Sequence, residues 1–83
     1  MLTAETRSAP LPTIRRLPPY LRLLKHLRNT GKSMVSSTEI AEELHLDQTQ
    51  VRKDLALTGI VGKPRVGYDV EALISAIESF LNW

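Results

Sequence analysis

The spacing of apolar residues changes twice along this chain: helical ahead of Gly59, shorter from Gly59 to Asp69, helical again to 81. Counting about 100° per residue, Leu17, Tyr20, Leu23, Leu24 and Leu27 share one side of a first helix, and Arg15, Arg22, Lys25 and His26 the other. Pro18 and Pro19 lack amide hydrogens and suit a first turn or a kink better than a helix interior. The pattern therefore predicts a main helix over about 18–29, with a helical turn from Thr13 ahead of it. Asn29-Thr30-Gly31 closes it. Residues 1–12, with Pro10 and Pro12, carry no stripe and read as a flexible N-terminal tail.

SSTEIAEEL opens a second helix. Ser36 followed by Glu39 forms a capping box, with Ile40 and Leu44 as the buried seam and Ala41 small enough for a close crossing. The turn HLD leads to a cap at Asp47, and Gln50 at the third helical position predicts a second capping box. Two short capped helices separated by so few residues are the signature of a helix-turn-helix, with His45 in the left-handed turn position often taken by glycine. GIVGKPRVGYDV then reads as two short strands joined by a tight basic turn, with Lys63 and Arg65 at its tip. Asp69 caps a fourth helix over about 70–81, striped by Val70, Leu73, Ile74, Ile77, Phe80 and Leu81. The fold class is mainly α (α+β): a winged helix-turn-helix over 13–83, in the order α-α-α-β-β-α.

On the third helix Val51 and Leu55 set the inward direction. Thr49, Lys53 and Ala56 then project oppositely, with Arg52 on one shoulder and Gln50 on the other. Thr49 and Ala56 allow close approach to a surface, while Gln50, Arg52 and Lys53 supply the donors that read a DNA major groove. Lys63 and Arg65 offer a second contact along the backbone or minor groove, and Arg15, Arg16 and Arg22 could hold phosphates near the first helix. Asp54 flanks the core, which predicts an intramolecular pair with a first-helix arginine rather than a DNA contact. The competing reading has Arg52 paired within the protein and Lys53 merely solvated.

Charge supports the first reading through its distribution. Residues 1–35 hold seven Lys/Arg against one acid, and 36–50 four acids with no Lys/Arg. Residues 51–65 hold four basic against one acidic residue, and 66–83 three acids alone. Basic blocks between acidic ones suit one face to a polyanion, within a net charge of only +2. At 83 residues with no cysteine, the chain reads as one small domain that neither disulfides nor thiolate metal sites support. No apolar run approaches the roughly 18 residues of a membrane span, and the N-terminus lacks the apolar centre of a secretory signal. A cytoplasmic protein is expected, with no membrane partner.

Catalytic and cofactor motifs fail on inspection. GIVG matches the GxxG of KH domains, but its central residues are apolar and the strand order is wrong. Gly62-Lys63 resembles a phosphate loop, yet Pro64 stands where Ser or Thr must hold magnesium. His26 and His45 lie on separate helices without carboxylate neighbours suited to a metal. No enzyme activity, metal or bound small molecule is expected in this chain.

TIRRLPPYLRLL, SSTEIAEEL, QVRKDL and VGYDVEALI together resemble the N-terminal DNA-binding domain of the Rex family of redox-sensing transcriptional repressors, over about residues 12–81. The resemblance implies a winged helix that binds palindromic operators on double-stranded DNA as a homodimer. It also implies an adjoining Rossmann domain where NAD(H) binds, with NADH releasing the repressor. Carried over by position, Arg52 and Lys53 look like recognition-helix contacts, and Arg16, Lys63 and Arg65 like supporting ones. Many members follow DL with a Ser-aromatic-aromatic run and have Arg-Gly in the wing; here ALTGIVGKPRVGY places Pro64 and Arg65 there instead, leaving wing placement and operator preference open. The chain ends at FLNW, about where the family's first Rossmann strand begins. NAD(H) is accordingly expected only in that missing sensor domain, and Trp83 favours a fragment over a stand-alone regulator. The alternative function is a protein-interaction module using the apolar stripe of the fourth helix and Trp83.

Overall fold

A computed structural model describes residues 10–82, so the expectations for residues 1–9 and Trp83 lie outside the described residues. Four helices and one two-stranded sheet follow in the order α1 (Leu11–Asn29), β1 (Met34–Val35), α2 (Ser37–Leu44), α3 (Gln48–Leu57), β2 (Tyr68–Asp69) and α4 (Val70–Leu81).

Helix α1 corrects the first expectation. It starts at Leu11 and runs unbroken through Pro18 and Pro19, so Leu11 and Pro12 belong to the helix and not to the tail. An interior proline removes an amide donor and crowds the preceding turn, at about 3 kcal/mol. Burial offsets that cost on both sides of the pair: Thr13 and Leu17 before it, Tyr20, Leu21 and Leu24 after it. The helix ends as foreseen. Gly31 takes φ +88°, its amide bonds to Arg28 O, and the Lys32 amide reaches back to Leu27 O, closing a Schellman motif.

Local capping then places α2. Ser36 Oγ accepts from the Glu39 amide at 3.0 Å while the Glu39 carboxylate accepts from the Ser36 amide at 3.1 Å. His45 closes the helix at φ 56°, ψ 46°, the left-handed geometry expected of that turn. Asp47 caps α3 by accepting from the Gln50 amide at 3.3 Å, but the reciprocal half of the predicted capping box is absent. The Gln50 side chain instead donates to Asp54, a stronger partner because it is a buried carboxylate. Asp69 caps α4 through the Ala72 amide at 2.8 Å.

The sheet differs from the predicted hairpin. β1, between α1 and α2, pairs antiparallel with β2, Met34 opposite Asp69 and Val35 opposite Tyr68. The first limb of the wing contributes only an isolated bridge, Lys63 to Gly67. The element order is thus α-β-α-α-β-α with a minimal wing, rather than α-α-α-β-β-α. A two-residue strand has no period to read, and Val61, within the stretch read as the first limb, is 85% exposed. Gly67 seats the wing against β1: a Cβ there would stand 2.5 Å from Val35 O.

One apolar core joins all six elements. Leu17, Tyr20 and Leu24 of α1 meet Val35, Ile40, Val51 and Leu55, and α4 closes the cluster with Val70, Leu73, Ile74 and Ile77. Phe80 and Leu81 pack only at its margin.

Candidate nucleic-acid interface

Val51 and Leu55 have no solvent exposure, which fixes the rotation of α3. Thr49, Arg52, Lys53 and Ala56 are exposed in consequence. Among the described residues, Arg52, Lys53, Lys63 and Arg65 enter no ion pair; the pairs that form are Arg16–Asp54, Lys25–Glu78, Arg28–Glu71 and Lys32–Glu39. The reading that seals Arg52 inside the protein therefore fails.

A cleft of about 670 Å³ separates the start of α2 and α3 from the wing. Arg52 lines it from α3, Lys63 and Arg65 from the wing, and the Ser37 and Thr38 hydroxyl-bearing residues from the first turn of α2. Two elements distant in sequence thus bring three cations to one groove, and the positive end of α2 adds to them. Glu39 is the acid in this cleft, and it is neutralised: the Lys32 ammonium at 2.7 Å holds its carboxyl below the ordinary range despite partial burial. Lys53 and Thr49 do not line the cleft; they sit on the open face of α3. Ser37, Thr38 and Gln48 were not foreseen here, although the capping box that locates the start of α2 contains the needed signal.

The wing turn is set by local chemistry. Pro64 follows Lys63, Arg65 takes φ 66°, and the Val66 amide bonds to Lys63 O at 3.1 Å, the pattern of a type II turn. Such turns want glycine where Arg65 stands, and a side chain in the left-handed region costs about 1–2 kcal/mol. Gly62 completes the base of the wing, its Cα facing the Tyr68 ring.

Arg16 and Gln50 are the site residues that the structure places differently, both on Asp54; Arg16 comes first. Its Nε lies 2.6 Å from Asp54 Oδ2 and its Nη2 3.0 Å from Oδ1, so the guanidinium grips a carboxylate of its own protein. That is the pair expected for Asp54, and it neutralises the cation assigned as a supporting DNA contact. Thr13 Oγ1 donates to the same carboxylate at 2.9 Å, Gln50 Nε2 at 2.9 Å, and the Tyr20 hydroxyl completes the set. Gln50, expected to face outward, is thereby turned toward the core. Burial alone would raise the Asp54 carboxyl, but the bonds from Arg16, Tyr20, Gln50 and Thr13 outweigh it and hold it low. Burial and the same carboxylate push the Tyr20 phenol up, and the Asp54 bond raises Arg16 further.

No group of three or more His, Cys, Asp or Glu able to hold a metal occurs among the described residues. No described helix is long and apolar enough to cross a membrane.

Comparison with known proteins places this geometry. Residues 8–56 match the family model described as "Putative DNA-binding protein N-terminus". The redox-sensing transcriptional repressor Rex of Treponema denticola is 52% identical over 80 residues, covering 96% of this chain and 38% of that protein. Rex of Bacteroides fragilis is 46% identical over 79 residues, covering 95% of this chain and 36% of its own. A crystal structure of RSP in complex with β-NAD⁺ and operator DNA superposes with a TM-score of 0.82 at 34% identity, over 88% of this chain and 34% of that one. The chain thus spans little more than a third of the length of these relatives. With its helix-turn-helix, its minimal wing and a match over more than half its length, the chain belongs to the family of putative DNA-binding protein N-termini, as a Rex-type N-terminal winged-helix domain.

Proposed function

We propose that this chain binds double-stranded DNA in a sequence-specific manner, as the operator-binding domain of a Rex-type redox-responsive repressor. The observation that carries the proposal is that Arg52 and Lys53 on α3 enter no ion pair among the described residues, beside wing cations Lys63 and Arg65 that line one cleft with Arg52. A helix inserted in the major groove presents Arg52 and Lys53 to base edges and phosphates, with Thr49 and Ala56 permitting close approach. Lys63 and Arg65 then meet the adjoining backbone. RSP supports this reading, since its structure holds operator DNA. The domain has no catalytic role in the proposal and works in the cytoplasm. Redox response belongs to NAD(H) bound in a separate sensor domain, as the RSP complexes with β-NAD⁺ and β-NADH suggest. A homodimer reading a palindrome would supply the affinity that one module lacks.

The test is a fluorescence anisotropy titration with duplexes selected from a random library, against scrambled duplexes, at two salt concentrations. Binding that favours the selected sequence and weakens steeply with salt supports the proposal. Binding indifferent to both sequence and salt removes it, and would favour a protein-interaction module instead.

A further inference from the structure

The Asp54 carboxylate lies in the middle of the proposed reading helix, adjacent to Lys53 and two residues from Arg52. Its side chain has no exposure, and five hydrogen bonds saturate it. Four of the five come from α1, from Thr13 and Arg16 before the proline pair and from Tyr20 after it. The fifth, from Gln50, lies one turn back on α3 itself.

Apolar packing through Val51 and Leu55 is strong but non-directional; it tolerates a helix that rolls by several degrees. Hydrogen bonds to a fixed carboxylate are directional and do not. The amplitude matters. With side chains about 5–6 Å from the helix axis, a roll of about 10° displaces their tips by about 1 Å. That is the margin between a made and a missed contact to a base edge. The charge on Arg16 is meanwhile cancelled by Asp54, so it offers DNA no net attraction.

Resting on the operator-binding reading, we propose that Arg16 and Asp54 form a positioning pair that fixes the roll of α3, with Thr13, Tyr20 and Gln50 bracing it. Arg16 then governs which sequence is bound, without contributing to the attraction for phosphate. A phosphate contact would do the reverse, because each neutralised phosphate adds about 0.9 to the slope of log affinity against log salt regardless of sequence.

The discriminating variant is Tyr20→Phe. Tyr20 is fully buried and cannot touch DNA, so any change in selectivity must pass through Asp54. A second variant, Arg16→Met with Asp54→Leu, removes both charges and leaves neither orphaned. The 83-residue chain would be titrated with duplexes selected from a random library by the wild type, and with scrambled duplexes, with the fold checked by circular dichroism. The double variant is expected to lose about tenfold or more of the preference for selected over scrambled duplex while keeping the wild-type salt slope. Tyr20→Phe is expected to lose about two- to threefold, and Arg16→Lys to recover part of what Arg16→Met removes. A fall of about 0.9 in slope on removing Arg16 makes it a phosphate contact and overturns the proposal. Undiminished preference in Tyr20→Phe overturns it as well, whether or not the double variant folds. Failure of the wild type to enrich any sequence would instead remove the operator-binding reading, and this inference with it.

Discussion

Arg16 Nε stands 2.6 Å from Asp54 Oδ2, across a sequence separation of 38 residues, and the carboxylate it holds has no access to solvent. The contact joins α1 to the helix that presents Arg52 and Lys53. It shapes acid stability, the set of residues free to meet DNA, and the conformation of a helix that contains two prolines.

Acid should unfold this domain through Asp54. Its carboxyl sits below the ordinary value of 3.8, so the folded state holds fewer protons than the unfolded chain in that range. The stabilisation is complete above the ordinary value and is lost as pH falls through the lower, folded one. Urea midpoints measured from pH 7 to pH 2 should drop steeply below about pH 4 in the wild type. Asp54→Asn should flatten that limb and cost about 2 kcal/mol at pH 7, less than a fully buried pair because the Arg16 side chain is 25% exposed.

The alkaline limb has the opposite origin. Burial and the Asp54 bond hold the Tyr20 proton beyond its ordinary 10.0. Its contribution is therefore intact below pH 10 and declines as pH rises toward the raised value. Tyr20→Phe should remove that decline, read as a loss of dependence of the urea midpoint on pH above 10.

Arg52→Ala and Lys53→Ala should each weaken duplex binding, by about 1–3 kcal/mol where a base edge is read, and Glu42→Ala should leave it unchanged. Anisotropy titrations at two salt concentrations measure this. Equal affinities in all three variants would remove α3 as the reading element.

Arg65→Gly should separate stability from binding. Relief of the left-handed side chain outweighs the added freedom of glycine when unfolded, for a net gain of about 0.5 kcal/mol in urea unfolding. Loss of a wing cation should meanwhile lower the salt slope of DNA binding by about 0.9. A variant less stable than the wild type would mean that Arg65 makes compensating contacts.

Gly67→Ala should cost more than about 2 kcal/mol, because the residue holds φ +94° and an added Cβ would collide with Val35 O. Thermal unfolding checks it; a midpoint within a few degrees of wild type would show that β1 and the wing can separate freely.

How far the chain could be read from its residues depended on the range of the interactions. Ser36–Glu39, Asp47, Asp69, His45 and Gly31 each act within one turn of backbone, so their caps and left-handed residues were legible before any fold was known. The outward direction of Arg52 and Lys53 followed from the helical period that turns Val51 and Leu55 inward. Pro18 and Pro19 misled, because local cost argues for a first turn or a kink there, while long-range burial and the grip of Asp54 on both sides of the pair keep α1 one helix. β1 escaped notice because two residues carry no pattern, and its partner lies 33 to 35 positions away in register. Helix period and capping determined what could point outward. The position of Asp54 called for a first-helix arginine; only the tertiary structure decided that Arg16 would be the one and that Gln50 would turn in with it, since a buried carboxylate outcompetes solvent for donors once packing has brought α1 and α3 together.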